Sequence, residues 1–340
     1  MKKRTLGRTG LRISEIGFGC GSSAGMMISG DAAVRRAAIA RALERGITLF
    51  DTAPVYGNTR SETHLGQALR ELGATPVIAS KVALEEADFD DLAGGVVRSV
   101  EASLERLGID HLPIVHMHNR VGYDRRAQSG FGSGALLTVD DVFGRGGVLE
   151  GFDRLKQRKL VRFVGATAFG GAIPCIEALI DSGRFDSIIL NYSVLNQSAW
   201  RDGPTLNPLF TYGRVGERAA RAGMGTFALR VLEAGALAAG FDRHPLASDP
   251  GAPDYAAHVA QAQTLRFLAG AGETRLVAPA IRFALSNPDV STVLVGISDL
   301  AHVDEAADAA ARGPLEAGQL ARVETLRANG FADLPRAAGT

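Results

Sequence analysis

The sequence predicts an α/β fold, specifically a closed (β/α)₈ barrel. Three observations point there. First, short apolar runs recur along the chain: Ile16–Cys20, Ile47–Phe50, Val77–Ser80, Leu112–Met117, Val161–Ala166, Ser187–Leu190, Met224–Leu229 and Thr292–Val295. Their near-continuous hydrophobicity is that of strands buried on both faces. Second, amphipathic stretches separate the runs, so the strands pair in parallel through helical crossovers. Third, eight such units fit within 340 residues, and one barrel of this type takes roughly 250 residues before insertions. A single domain over 1–340 is therefore expected.

The elements can be justified in order. Thr5–Ile13 reads as a β-hairpin with a Gly-containing turn ahead of the first strand, placed to plug the barrel's bottom. Asp31 can cap a helix over Ala32–Arg45 that stops at Gly46. From Asp88, the residues Leu92, Val96, Val100, Leu104 and Leu107 step by three or four until Gly108 ends the helix. Leu276–Leu285 precedes the last strand and stops at Asn287–Pro288. Two segments break the rhythm. Asn119–Gly147 is polar and glycine-rich and should overhang the barrel mouth; Arg243–Tyr255 is rich in Pro, Ala and Asp. Long loops of this kind serve as lids or binding loops, or are simply floppy insertions. An open doubly wound sheet is the structural alternative. It is disfavoured because Gly17, Gly19 and Gly21 lack the third glycine of a dinucleotide fingerprint.

Composition narrows the partners. Lys plus Arg equals Asp plus Glu at 37 each, so no global field favours nucleic acid or an acidic membrane surface. No apolar run approaches a membrane span, and the basic N-terminus lacks the apolar core of a signal peptide. Cys20 and Cys175 make neither a disulfide framework nor a zinc pattern and read as buried fillers. These features suit a cytoplasmic protein acting on small molecules, with no metal and an open oligomeric state.

Polar side chains that stop buried strands lie at the strands' carboxyl ends, where barrel enzymes gather their catalytic groups. Asp51 follows Ile47–Phe50, Tyr56 lies in the next loop, Lys81 follows Val77–Ser80, and His118 ends the fourth run. An acid, a phenol, an amine and an imidazole gathered there read as a proton-transfer centre, such as the reduction of a carbonyl would use at the oxygen. A free phenol, with a pKa of about 10, is a poor donor near neutrality. A buried ammonium beside it stabilises phenolate and lowers that value. Lys81 can supply the ammonium, Asp51 can hold it charged, and His118 can orient the carbonyl. His116 competes with His118, because alternation aims both inward.

These residues carry a resemblance. Asp51-Thr52-Ala53-Pro54-Val55-Tyr56-Gly57, then Ser61-Glu62, Leu65-Gly66-Gln67-Ala68-Leu69 and Ser80-Lys81, resemble the aldo-keto reductases, as do Leu6–Leu11 and Gly17-Phe18-Gly19. The resemblance implies a (β/α)₈ barrel binding NAD(P)H across its mouth without a Rossmann domain. It places the catalytic tetrad on Asp51, Tyr56, Lys81 and His118.

The cofactor half matches less closely. Family positions that hold the nicotinamide amide fall on Thr167-Ala168 and Ile189, so a hydroxyl remains and two amide side chains are lost. Where the family has an aromatic residue followed by Ser-Pro-Leu, this chain has Leu229-Arg230-Val231-Leu232. Leu229 can cover the ring, and Arg230 can pair with the pyrophosphate or reach the substrate. Gly21, Leu232 and Gly296 complete the implied cofactor contacts, with Ser298 and Glu305 at the adenosine end. Asp299 would repel a 2′-phosphate and welcome a ribose diol, which leans toward NAD; equally, it can cap the helix that follows. Tyr192, after the sixth run, is a candidate substrate contact.

The expected function is an NAD(P)-dependent oxidoreductase interconverting an aldehyde or ketone, sugars included, with an alcohol. An epimerase or isomerase using transient redox of bound nicotinamide, and a non-catalytic cofactor-sensing subunit, are the alternatives.

Overall fold

The eight apolar runs become eight parallel strands that close on themselves. The computed structural model describes residues 1–127, 133–203, 205, 210–238, 255–270 and 273–331. A hairpin of β1 (Lys3–Thr5) and β2 (Arg12–Ser14) comes first, paired Lys3 to Ser14. The barrel follows as β3 (Ile16–Gly19), β4 (Leu49–Asp51), β5 (Val77–Val82) and β6 (Leu112–Met117). A short ladder of β7 (Val121–Gly122) and β8 (Leu137–Thr138) intervenes. The barrel then resumes with β9 (Val161–Thr167), β10 (Ser187–Asn191), β11 (Gly225–Leu229) and β12 (Thr292–Gly296), and β12 closes against β3.

Helices cover the outside: α1 (Met26–Ser29), α2 (Ala32–Glu44), α3 (Arg60–Leu72), α4 (Leu92–Leu107), α5 (Val139–Phe143) and α6 (Val148–Gln157). They continue as α7 (Ile173–Asp181), α8 (Val215–Arg221), α9 (Tyr255–Thr264), α10 (Val277–Leu285), α11 (Leu300–Ala311) and α12 (Ala317–Ala328). Among the described residues no helix is long and apolar enough to cross a membrane. The caps act as read from sequence. The Asp31 side chain accepts from Ala33 and Val34 N–H, and Gly108 ends α4 in a left-handed turn. α4 starts at Leu92 rather than Asp88, because Asp91 caps it and Glu86–Asp88 forms a separate 3₁₀ turn.

Two cores result. The larger lies between barrel and helices and includes Cys20 and Cys175. The smaller fills the barrel: Leu6 and Ile13 of the hairpin meet Leu49, Ala79, Ile114, Ile189, Phe227 and Leu294. The hairpin is thus the plug. Each fully buried large apolar side chain of this set stabilises by roughly 1.5–3 kcal/mol. Of the two irregular segments, Asn119–Gly147 is built around Asn119, which is fully buried and bonds Leu84 N, Leu84 O and Ala135 O. Residues 128–132 of it, and 243–254 of the second segment, lie outside the described residues.

Candidate active site

Strand alternation sets the site. Leu49, Ala79, Ile114, Ile189, Phe227 and Leu294 all face the barrel interior. Two residues further toward each carboxyl end, on the same faces, stand Asp51, Lys81, His116, Asn191, Leu229 and Gly296. One ring of apolar residues therefore carries a second ring that is largely polar.

Lys81 Nζ donates to Asp51 Oδ2 at 2.7 Å and to the Thr52 carbonyl at 2.8 Å. Asp51 and Lys81 are 4 % and 2 % exposed. Burial disfavours the ammonium, but the charges and hydrogen bonds of Asp51 and Tyr56 carry the Lys81 pKa above its ordinary value, so it stays charged. Lys81 Nζ lies 4.8 Å from the Tyr56 ring centroid, and the Tyr56 and His118 rings meet edge to face at 5.9 Å. The loop bearing Tyr56 is tied down from below: Ser61 Oγ donates to Cys20 O and shares a hydrogen bond with Thr52 Oγ1. Next to it, the buried Glu62 carboxylate accepts from Ser80 Oγ and Arg106 Nε. The four residues expected to act together are thus brought together.

Two electrostatic outcomes follow. The Tyr56 pKa is raised, not lowered: burial dominates, and the Lys81 charge offsets only part of it. The hydration a phenol loses on packing among other side chains outweighs what the neighbouring cation returns. For His118, burial and then the Lys81 charge push the pKa down to about 3, which keeps the imidazole neutral.

His116 separates cleanly from His118. It is fully buried inside the barrel, Nε2 at 3.0 Å from Ser187 Oγ, with its ring edge-on to Phe227 at 4.9 Å. It occupies the space that a side chain at Gly165 would need: a Cβ there would fall 2.2 Å from the His116 ring. His116 packs the barrel, whereas His118 stands above it.

Among the described residues, five buried polar atoms of these strands and strand ends have no hydrogen-bond partner: Asp51 Oδ1, His116 Nδ1, His118 Nδ1, Thr167 Oγ1 and Asn191 Oδ1. Burying such atoms unpaired is costly. Their presence at the ends of barrel strands fits a polar ligand, including the carboxamide of a nicotinamide. The expected amide-contact position, Ile189, packs in the inner core, and Asn191, two residues on, carries the unpartnered polar atom. The usable signal was period two, since Asn191 shares Ile189's face and pairs in register with Leu229.

The remaining candidates divide. Gly21 lies against Tyr56, with 3.9 Å from a would-be Cβ to the ring. Leu229 packs against the inner core and Leu232 against the outer one. Arg230 places its guanidinium 5.2 Å from the Phe169 ring and 5.1 Å from the Phe210 ring. Ser298, Asp299 and Glu305 line a cleft of about 960 Å³ with Arg275, His302 and Arg312, beside the exposed Gly296. There Glu305 pairs with Arg275 at 3.0 Å, and Asp299 caps α11 by accepting from Ala301 N–H at 2.9 Å. Tyr192 does not join the site. Alternation turns it outward, where it packs on Trp200 and Phe283 at 4.5 and 5.5 Å, within the outer core.

The Aldo/keto reductase family model matches residues 15–328. The chain belongs to the aldo/keto reductase family. This aldo-keto reductase is 30 % identical over 313 residues to the L-galactose dehydrogenase of Arabidopsis thaliana, covering 89 % of the chain and 86 % of the relative. It is 27 % identical over 332 residues to the pyridoxal 4-dehydrogenase of Microbacterium luteolum, covering 87 % and 89 %. Among solved structures, an aldo-keto reductase of Bacillus halodurans in its holo form superposes with a TM-score of 0.70 over 99 % of both chains, at 23 % identity. That likeness speaks to the fold: eight parallel strands closed into a barrel and wrapped by helices.

Proposed function

We propose that this aldo-keto reductase interconverts an aldehyde or ketone with an alcohol, using NAD(P)H and Tyr56 as the general acid and base. The observation that carries the reading is the buried Lys81–Asp51 pair set beside Tyr56 and His118 at the barrel's open end. The bound nicotinamide supplies or accepts the hydride. Thr167 and Asn191, whose buried polar atoms lack partners, hold its carboxamide. Leu229 would cover the ring, with Gly21 and Leu232 beside it, and Gly296, Ser298 and Glu305 would serve the adenosine end.

In the reducing direction the Tyr56 hydroxyl gives its proton to the substrate oxygen. Lys81 stabilises the phenolate left behind, and Asp51 keeps Lys81 charged and aimed. Neutral His118 donates an imidazole N–H to the same oxygen and fixes its angle. In the oxidising direction the tyrosinate takes the alcohol proton. The sugar and pyridoxal dehydrogenases among the relatives support a hydroxylated substrate, and the two buried free cysteines suit a reducing compartment such as the cytoplasm.

A panel of aldehydes, ketones and aldoses assayed with NADH and NADPH tests the reading. Turnover that disappears in Tyr56→Phe, while dinucleotide binding persists, supports it. Undiminished turnover in that variant refutes it.

A further inference from the structure

We propose that Arg230 is a specificity residue that selects substrates bearing a carboxylate. The inference rests on the oxidoreductase reading above and adds the substrate's charge class to it.

Position comes first. Arg230 directly follows Leu229, the last residue of β11, at the barrel's open end. The cleft suited to the adenosine end lies across β12 and α11, at Ser298 and Glu305. A dinucleotide with its ring under Leu229 therefore runs from β11 toward β12. Arg230 is held on the other side. Phe169 belongs to the loop after β9, and Phe210 to the loop after β10. Their rings, 5.1 Å apart, both lie within about 5 Å of its guanidinium carbon. The cation is turned toward the loops after β9 and β10, and β9 is paired with β6. His118 follows β6, so this is the flank on which the body of a substrate lies once its carbonyl has reached Tyr56 and His118.

Charge comes second. The buried Tyr212 hydroxyl feels Arg230 and Arg120 together, opposed by Glu233. Among the described residues, two guanidiniums and one carboxylate thus share one region. The Glu233 carboxylate already accepts from Ser193 Oγ, and Arg120 is spent in part on the Gly170 carbonyl.

Backbone comes third. Arg230, Glu233 and Ala234 all adopt positive φ, at 57°, 46° and 52°, with no glycine among them. Such conformations persist where the surroundings over-determine them, commonly at functional sites. Together with the aromatic clamp, they fix the guanidinium in advance. A planar, pre-oriented guanidinium matches a carboxylate through two parallel N–H···O bonds.

The test compares matched probes: 4-carboxybenzaldehyde against benzaldehyde and glucuronate against glucose, in wild type, Arg230→Lys and Arg230→Met. The wild type should favour the carboxylate member of each pair. In Arg230→Met the anionic-to-neutral ratio of kcat/KM should fall about 10- to 100-fold, mostly through KM, with Arg230→Lys recovering part of it. Kd values for NADH and NADPH are measured in parallel. An unchanged ratio overturns the proposal, and so does a loss confined to dinucleotide affinity. Equilibrium binding of benzoate against benzamide separates the two readings. Arg230-dependent benzoate binding by a protein that turns over no carbonyl would sink the oxidoreductase reading alone. Turnover of neutral carbonyls without any preference for benzoate would sink this proposal alone.

Discussion

Lys81 Nζ and Asp51 Oδ2 lie 2.7 Å apart inside the barrel, each side chain almost wholly shielded from water. Removing one partner strands a charge that cannot be hydrated. Asp51→Asn should therefore cost about 3–5 kcal/mol of stability, as breaking a buried pair commonly does. Asp51→Leu combined with Lys81→Met should cost less than the two single substitutions summed, because no charge is left behind. Urea denaturation of the wild type, Asp51→Asn, the two single substitutions and the double variant measures this. Additive losses would show that the two groups do not act as a pair.

Tyr56 sets the second expectation. Burial raises its pKa above the ordinary value of about 10, despite the Lys81 charge. The proton donor is then fully protonated throughout the neutral range. Reduction should show a flat kcat/KM from about pH 6 to 9. Oxidation, which needs the phenolate, should climb by about tenfold per pH unit over the same range. Tyr56→Phe should lose about 10²–10⁴-fold in kcat while keeping its dinucleotide Kd. A reduction profile that falls through pH 7 would show that the phenol titrates far lower.

What the sequence made legible follows from period and charge. All eight barrel strands were readable because parallel strands buried on both faces leave unbroken apolar runs, and Asp51, Lys81 and His118 because each interrupts such a run at its end. Two further outcomes depend on which face a residue occupies. Asn191 and Tyr192 are adjacent, yet one joins the inner ring and the other the outer core. Ile189 and Asn191 share the inner face, so alternation alone does not separate them; height does, Ile189 packing in the apolar layer and Asn191 standing one layer nearer the open end. The sign of the Tyr56 shift was not legible at all. It depends on how closely neighbours from several distant segments exclude water, and no local pattern encodes that.

His118 leads to a pH dependence of stability. Its folded pKa lies at about 3, against about 6.5 for an unfolded histidine. Below about pH 6.5 the unfolded chain binds a proton that the folded protein refuses, so stability falls as pH drops toward 3 and is level above that window. His116, likewise depressed by burial, adds to the same slope. Urea midpoints at about pH 7.5 and pH 5 should differ in the wild type. His118→Gln, which cannot titrate, should narrow the difference. An identical difference in that variant would remove His118 as its source.

Asp299 allows two roles to be tested apart. Its side chain caps α11 through Ala301 N–H, which accounts for its presence without reference to any ligand. It also lines the cleft with Ser298, Glu305 and Arg275, where a carboxylate repels a 2′-phosphate and suits a ribose diol. Asp299→Ala should cost about 1 kcal/mol of stability through the lost cap. Asp299→Ser keeps a capping oxygen but removes the charge, so stability should hold. If the charge governs cofactor choice, the wild type binds NADH at least as tightly as NADPH, and Asp299→Ser tightens NADPH binding several-fold with little change for NADH. Fluorescence titration of both dinucleotides against both proteins reads this directly. Much tighter NADPH binding by the wild type, or equal shifts for both cofactors in Asp299→Ser, would leave Asp299 as a helix cap alone.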